Sequence, residues 1–106
     1  MISIAWLIPV KTIQIKYSYI YSFLTKLSEN LTDQYNHNFY LGFDRIPEDI
    51  YILKKFNKLN FTIYPIKFNN IPVGYLTKMW NHLFSISYAT NDYFFQCGDD
   101  VEFLEY

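Results

Sequence analysis

Apolar residues along the chain fall into blocks whose spacing changes from element to element. The first, "ISIAWLIPV" at residues 2–10, is a continuous apolar run that Pro9 ends. Its length favours a buried strand over a helix. Tyr17, Ile20, Tyr21, Leu24, Leu27 and Leu31 then recur at three- and four-residue steps, with Lys16, Lys26 and Glu29 off the stripe, which predicts an amphipathic helix. "NFYLGFD" predicts a second strand over 39–43, ending at Asp44. Pro47, Glu48 and Asp49 suit a first helical turn, and that helix is expected to reach about residue 59. "FTIYPIKF" reads as a third strand, with Pro65 marking an edge or a break. After the loop "NNIPVG", Leu76, Met79, Trp80, Leu83, Phe84 and Ser87 share one face of a third helix. "YFFQC" reads as a fourth, buried strand.

The predicted order is β-α-β-α-β-α-β. Such alternation implies the α/β class: a mostly parallel sheet flanked by helices, in one domain spanning residues 1–106. Ligands in these sheets bind beyond the carboxyl ends of the strands. Pro9, Val10 and Lys11, then Asp44, then Asp99 and Asp100 each follow a predicted strand end. Far apart in sequence, they are expected to converge on one rim.

Composition narrows the function classes. With 51% hydrophobic and 22% aromatic residues in 106, the chain can bury one core. Nine basic and ten acidic residues give a net charge of −1, so no nucleic-acid or anionic-membrane partner is expected. The single Cys97 excludes an internal disulfide and fits a reducing compartment. No apolar run approaches a membrane span, and the N-terminal run lacks the basic lead and cleavage site of a signal peptide, so a cytoplasmic location is expected. Heavy use of Ile, Asn, Lys, Tyr and Phe points to an AT-rich genome, a viral one included. The three glycines, at 42, 74 and 98, form no phosphate loop. His37 and His82 have no partners at zinc-ligand spacing, and Cys97, Trp6 and Trp80 are expected to be packing residues.

The adjacent carboxylates of Asp99 and Asp100 carry the clearest chemistry. Mg²⁺ and Mn²⁺ take oxygen ligands, often one or two carboxylates plus substrate phosphates. A cation relieves the repulsion between two such neighbours, and Gly98 permits a tight turn before them. The plain alternative is an Asp pair in a surface turn.

"ISIAWLIPVKT", "LGFD" and "ATNDYFFQCGDD" together resemble the front half of a nucleotide-sugar-dependent glycosyltransferase of the GT-A fold. Ala89, Thr90, Asn91, Asp92 and Tyr93 resemble that family's turn before its Asp-x-Asp strand, with Asn91 in the glycine place. Gly98, Asp99 and Asp100 fall on Asp-x-Asp, with Gly98 replacing its first carboxylate. The resemblance implies a Rossmann-like GT-A half domain that binds a UDP- or GDP-sugar with Mn²⁺ or Mg²⁺. Asp100 would be the principal metal ligand, and Asp99 would lie near the metal or ribose. Asp44 would hold the base; Pro9, Val10 and Lys11 would line base and ribose. Lys78 would face phosphate or sugar. The family's second half, which supplies acceptor contacts and the catalytic base, has no counterpart here, so a truncated or split enzyme is implied.

Two rivals remain. "GDD" after an apolar strand also marks viral polymerase palms, and Asp44 and Asp49 have the Asp-x4-Asp spacing of another palm motif. Against this, a net charge of −1 is poorly suited to gripping template and primer. The other rival is a non-catalytic remnant, or an interaction module whose apolar edge pairs with a second protein half or another copy.

Overall fold

The computed structural model describes residues 1–31, 34–69 and 76–98. It contains strand β1 (Ser3–Val10), helix α1 (Tyr19–Asn30), strand β2 (Asn36–Phe43), a 3₁₀ segment (Ile50–Phe56), strand β3 (Phe61–Lys67), helix α2 (Leu76–Ser87), a second 3₁₀ turn (Tyr88–Thr90) and strand β4 (Tyr93–Gln96). The four strands form one sheet in the order β3-β2-β1-β4, and every pairing is parallel. The fold is therefore the α/β, Rossmann-like arrangement that the alternation implies.

Side-chain alternation along β1 and β2 builds two core layers. Trp6, Ile8 and Val10 of β1, with Phe39, Leu41 and Phe43 of β2, face α1 and the first 3₁₀ segment. Ile20, Phe23, Leu24 and Leu27 of α1 complete that layer. On the opposite face Ala5, Leu7 and Tyr40 meet Met79 and Leu83 of α2. The order of connections places β1 beside β2 on one side and β4 on the other, with the crossover helices on opposite faces. This is the topological switch of an open α/β sheet.

Local chemistry sets the element ends. Ser18 caps α1, its Oγ accepting from the Tyr21 N–H at 3.2 Å. The expected helix after Pro47 is instead the short 3₁₀ segment, and it ends at Phe56 rather than residue 59. Residues beyond Phe56 are needed for the turn into β3. The Asn57 side chain accepts from the Ile63 N–H at 2.8 Å, Lys58 bridges Phe61, and Asn60 adopts a left-handed φ of 69°.

The first strand does not stop at Pro9 but runs through it, in register with Gly42 of β2. Odd-numbered residues of β1 direct their backbone groups toward β4: the Ser3 and Leu7 carbonyls accept from Asp92 and Cys97. The donor that Pro9 lacks thus falls on that side, beyond the last β4 pairing at Gln96, and no ladder bond is lost. Pro65 follows the same rule on the outer side of β3, which is an edge strand as its proline implies.

The fourth strand differs from its expected burial. Tyr93 is 61% and Phe95 50% exposed. Its aromatic composition mimics a buried run, but the sheet order leaves it at an edge.

Candidate functional site

The carboxyl ends of β1 and β2 lie side by side, Val10 in register with Phe43. The chain beyond each forms a loop. Between the loops lies an open cavity of about 330 Å³ lined by Val10, Lys11, Thr12, Ile13, Asp44 and Arg45. Ile13 and Arg45 also line an adjoining cavity of about 420 Å³ with Gln14, Ile46, Pro47, Glu48 and Asp49. The two share Ile13 and Arg45, and each has a volume in the range of small-molecule sites.

The β1–α1 loop is fixed from both ends. Ile15 is fully buried, and its carbonyl accepts from the Ser18 N–H at 2.9 Å and the Ser18 hydroxyl at 2.6 Å. Thr12 and Gln14 close a local turn, the Gln14 N–H donating to Thr12 Oγ1 at 3.2 Å. Asp49 then crosses between the loops: its carboxylate accepts from the Ile15 N–H at 2.8 Å and the Lys16 N–H at 3.0 Å. Burial raises the Asp49 pKa, but hydrogen bonds from these two N–H groups and from its own outweigh it, so the carboxyl lies below its usual 3.8.

The structure brings together part of the expected set. Val10, Lys11 and Asp44 share the rim cavity. Pro9 lies one residue inside, buried within β1 opposite Gly42. Lys78 is exposed in the first turn of α2. That turn is held near the carboxyl half of β1, because Trp80 Nε1 donates to the Leu7 carbonyl at 3.1 Å. Asp99 and Asp100 lie outside the described residues. The described chain reaches Gly98 beside β1, with the Cys97 N–H donating to the Leu7 carbonyl at 3.3 Å. Among the described residues, no group of three or more His, Cys, Asp and Glu side chains could hold a metal ion.

The packing assignments for Trp6, Trp80 and Cys97 agree with the structure. Trp6 is buried, stacks on Phe39 with centroids 5.3 Å apart, and donates to His37 Nδ1 at 3.2 Å. Trp80 is half-buried against the α2-side core, and Cys97 joins the α1-side core.

Two residue groups carry no sequence signal of their role. Arg45 contributes to both cavities, and only its place beside Asp44 hints at this. In the turn before β4, Asn91 links three elements. Its Nδ2 donates to the Tyr40 hydroxyl at 3.1 Å and the Ser87 carbonyl at 2.9 Å, while its Oδ1 accepts from Asn38 Nδ2 at 2.9 Å. A glycine could make none of these bonds. Asp92 completes the turn: its N–H donates to the Ser3 carbonyl at 2.8 Å, and its Oδ2 accepts from the Ser3 N–H at 2.8 Å.

Comparison with protein-family models, curated proteins and solved structures found no match to this chain. No helix among the described residues is long and apolar enough to cross a membrane.

Proposed function

We propose that the rim at the carboxyl ends of β1 and β2 binds the nucleoside diphosphate of a UDP- or GDP-sugar, in a glycosyltransferase-type reaction. One observation carries the reading: Val10, Lys11 and Asp44, from adjacent parallel strand ends, line a single cavity where α/β sheets take ligands. Asp44 supplies an acceptor for base N–H groups. Lys11 and Arg45 supply cationic donors suited to ribose and phosphate oxygens. The apolar walls at Val10 and Ile13 suit the flat base.

Asp100 and Asp99 would hold Mn²⁺ or Mg²⁺; adjacent carboxylates are the hard oxygen donors these ions prefer. The bound ion would neutralise charge on the departing diphosphate. Lys78, on the turn of α2 held near β1, adds a cation at the same end of the sheet. Acceptor binding and base catalysis would fall to groups outside this rim.

Calorimetric titration of the folded chain with UDP and GDP, with and without Mn²⁺, tests the reading. Metal-dependent binding is expected. Asp44→Ala should weaken it about tenfold, the value of one hydrogen bond to a charged group. Asp100→Ala should remove the metal dependence and leave the fold intact. A folded chain that binds neither nucleotide overturns the proposal.

A further inference from the structure

The two edges of the sheet are finished differently. Along β3 the outward-facing backbone positions are Phe61, Ile63, Pro65 and Lys67. The Phe61 N–H donates to the Lys58 carbonyl at 3.0 Å, the Ile63 N–H donates to Asn57 Oδ1, and Pro65 has none. Only Lys67 is left, and its charge discourages pairing. This is a blunted edge.

Among the described residues, the β4 edge has no such protection. Cys97 directs its N–H inward to Leu7, so by alternation Gln96 and Phe94 direct theirs outward. Among the described residues neither outward N–H has a partner, and Tyr93–Gln96 contains no proline and no charge. Exposed aromatic rings flank the edge on both faces. Tyr93 and Phe95 lie on the α1 side; on the other, Phe84 packs edge-on to Phe94 at 4.8 Å and is followed by Tyr88.

We infer that this edge pairs with the same edge of a second copy, antiparallel about a two-fold axis, giving a continuous eight-stranded sheet. The edge is self-complementary. A register centred on Phe95 sets Phe94 opposite Gln96 of the other copy as a hydrogen-bonded pair. It sets Phe95 opposite Phe95, a favourable aromatic pair, and Asp92 opposite Gly98, so no like charges meet. Four rings exposed by 43–61% offer roughly 400 Å² per copy, at about 150–250 Å² for each whole side chain. That is half of the about 800 Å² per partner in a standard interface, with the paired strands adding the remainder, so a dimer of micromolar strength is expected. The inference is independent of the nucleotide reading.

Sedimentation velocity of the 106-residue chain from about 1 to 100 µM tests it. The expected result is a rise in mass to twice the 12.8 kDa of one chain. Gln96→Pro removes an outward N–H without touching the β1 ladder, copying the device at Pro65. It should stay monomeric throughout with an unchanged circular dichroism spectrum. Should that variant not fold, Phe95→Lys, which places a charge at the two-fold axis, decides by the same readout. A wild-type chain that stays monomeric, or a dimer that survives these substitutions in folded protein, overturns the inference.

Discussion

The carboxylate of Asp49 faces two consecutive backbone N–H groups of a loop 34 residues earlier in the chain. It joins the two loops that wall the rim: Asp44 lines the cavity at the strand ends, while Asp49 lines the adjoining one and braces both loops. The bracing depends on charge. Because the folded carboxyl has a pKa below its usual 3.8, the unfolded chain takes up this proton at higher pH than the folded chain. The stabilisation is therefore complete above the unfolded value and drains away as pH falls through the lower, folded one. Asp49→Asn leaves one acceptor for two donors. Since the side chain is only half-buried, solvent screening brings the expected loss at neutral pH to about 1 kcal/mol, below the roughly 1.5–3 kcal/mol of a buried charge-assisted bond. Urea denaturation of both proteins should show that difference narrowing below about pH 4. A difference unchanged from pH 7 to pH 3 would remove Asp49's charge from the account.

At the scale of elements, Gly42 gives a sharp test of how β2 and the chain after β3 fit together. A Cβ at Gly42 would fall 2.0 Å from the Phe68 ring, which is buried and meets His82 edge-on at 5.8 Å. Gly42→Ala must displace that ring, at a cost of about 1–3 kcal/mol. Thermal unfolding should fall by ~5 °C or more, and an unchanged melting temperature would show that the ring moves freely. Elements with long periodic stripes are legible in the sequence alone. The 3.6-residue stripe of α1 departs from the helix at its two ends: Tyr17 precedes it at φ 66° and 85% exposed, and Leu31 follows it as the extended C-cap residue. The α/β order follows because helix and strand periods alternate. What the pattern does not carry is context. Apolar content alone does not tell a central strand from an edge, hence the unexpected exposure of β4. Three polar residues after Phe56 serve the next strand, not the preceding helix. In the candidate site, Val10, Lys11 and Asp44 are legible because strand ends in a parallel sheet share a rim. Arg45 and Asp49 are not, since their roles depend on which loops the fold brings together.

The whole molecule divides its protection unequally, and hydrogen exchange should read that division directly. β1 and β2 are covered on both faces and paired on both sides, so their amides should exchange most slowly. Among the described residues β4 pairs with β1 alone, and it has four residues and two exposed rings. Its alternating backbone makes adjacent amides report on different surroundings. Cys97 donates into the sheet, to Leu7, whereas Gln96 points to the open edge. In a dilute, monomeric sample the Gln96 amide is expected to exchange at nearly the unprotected rate and the Cys97 amide far more slowly. As concentration rises into the range where two edges pair, Gln96 should gain protection while Cys97 changes little. In Gln96→Pro the same increase in concentration should leave the Phe94 amide unprotected. Equal protection of Gln96 and Cys97 at every concentration would mean that the edge is closed within a single chain, and the continuous sheet would have to be abandoned even if the nucleotide site proved sound.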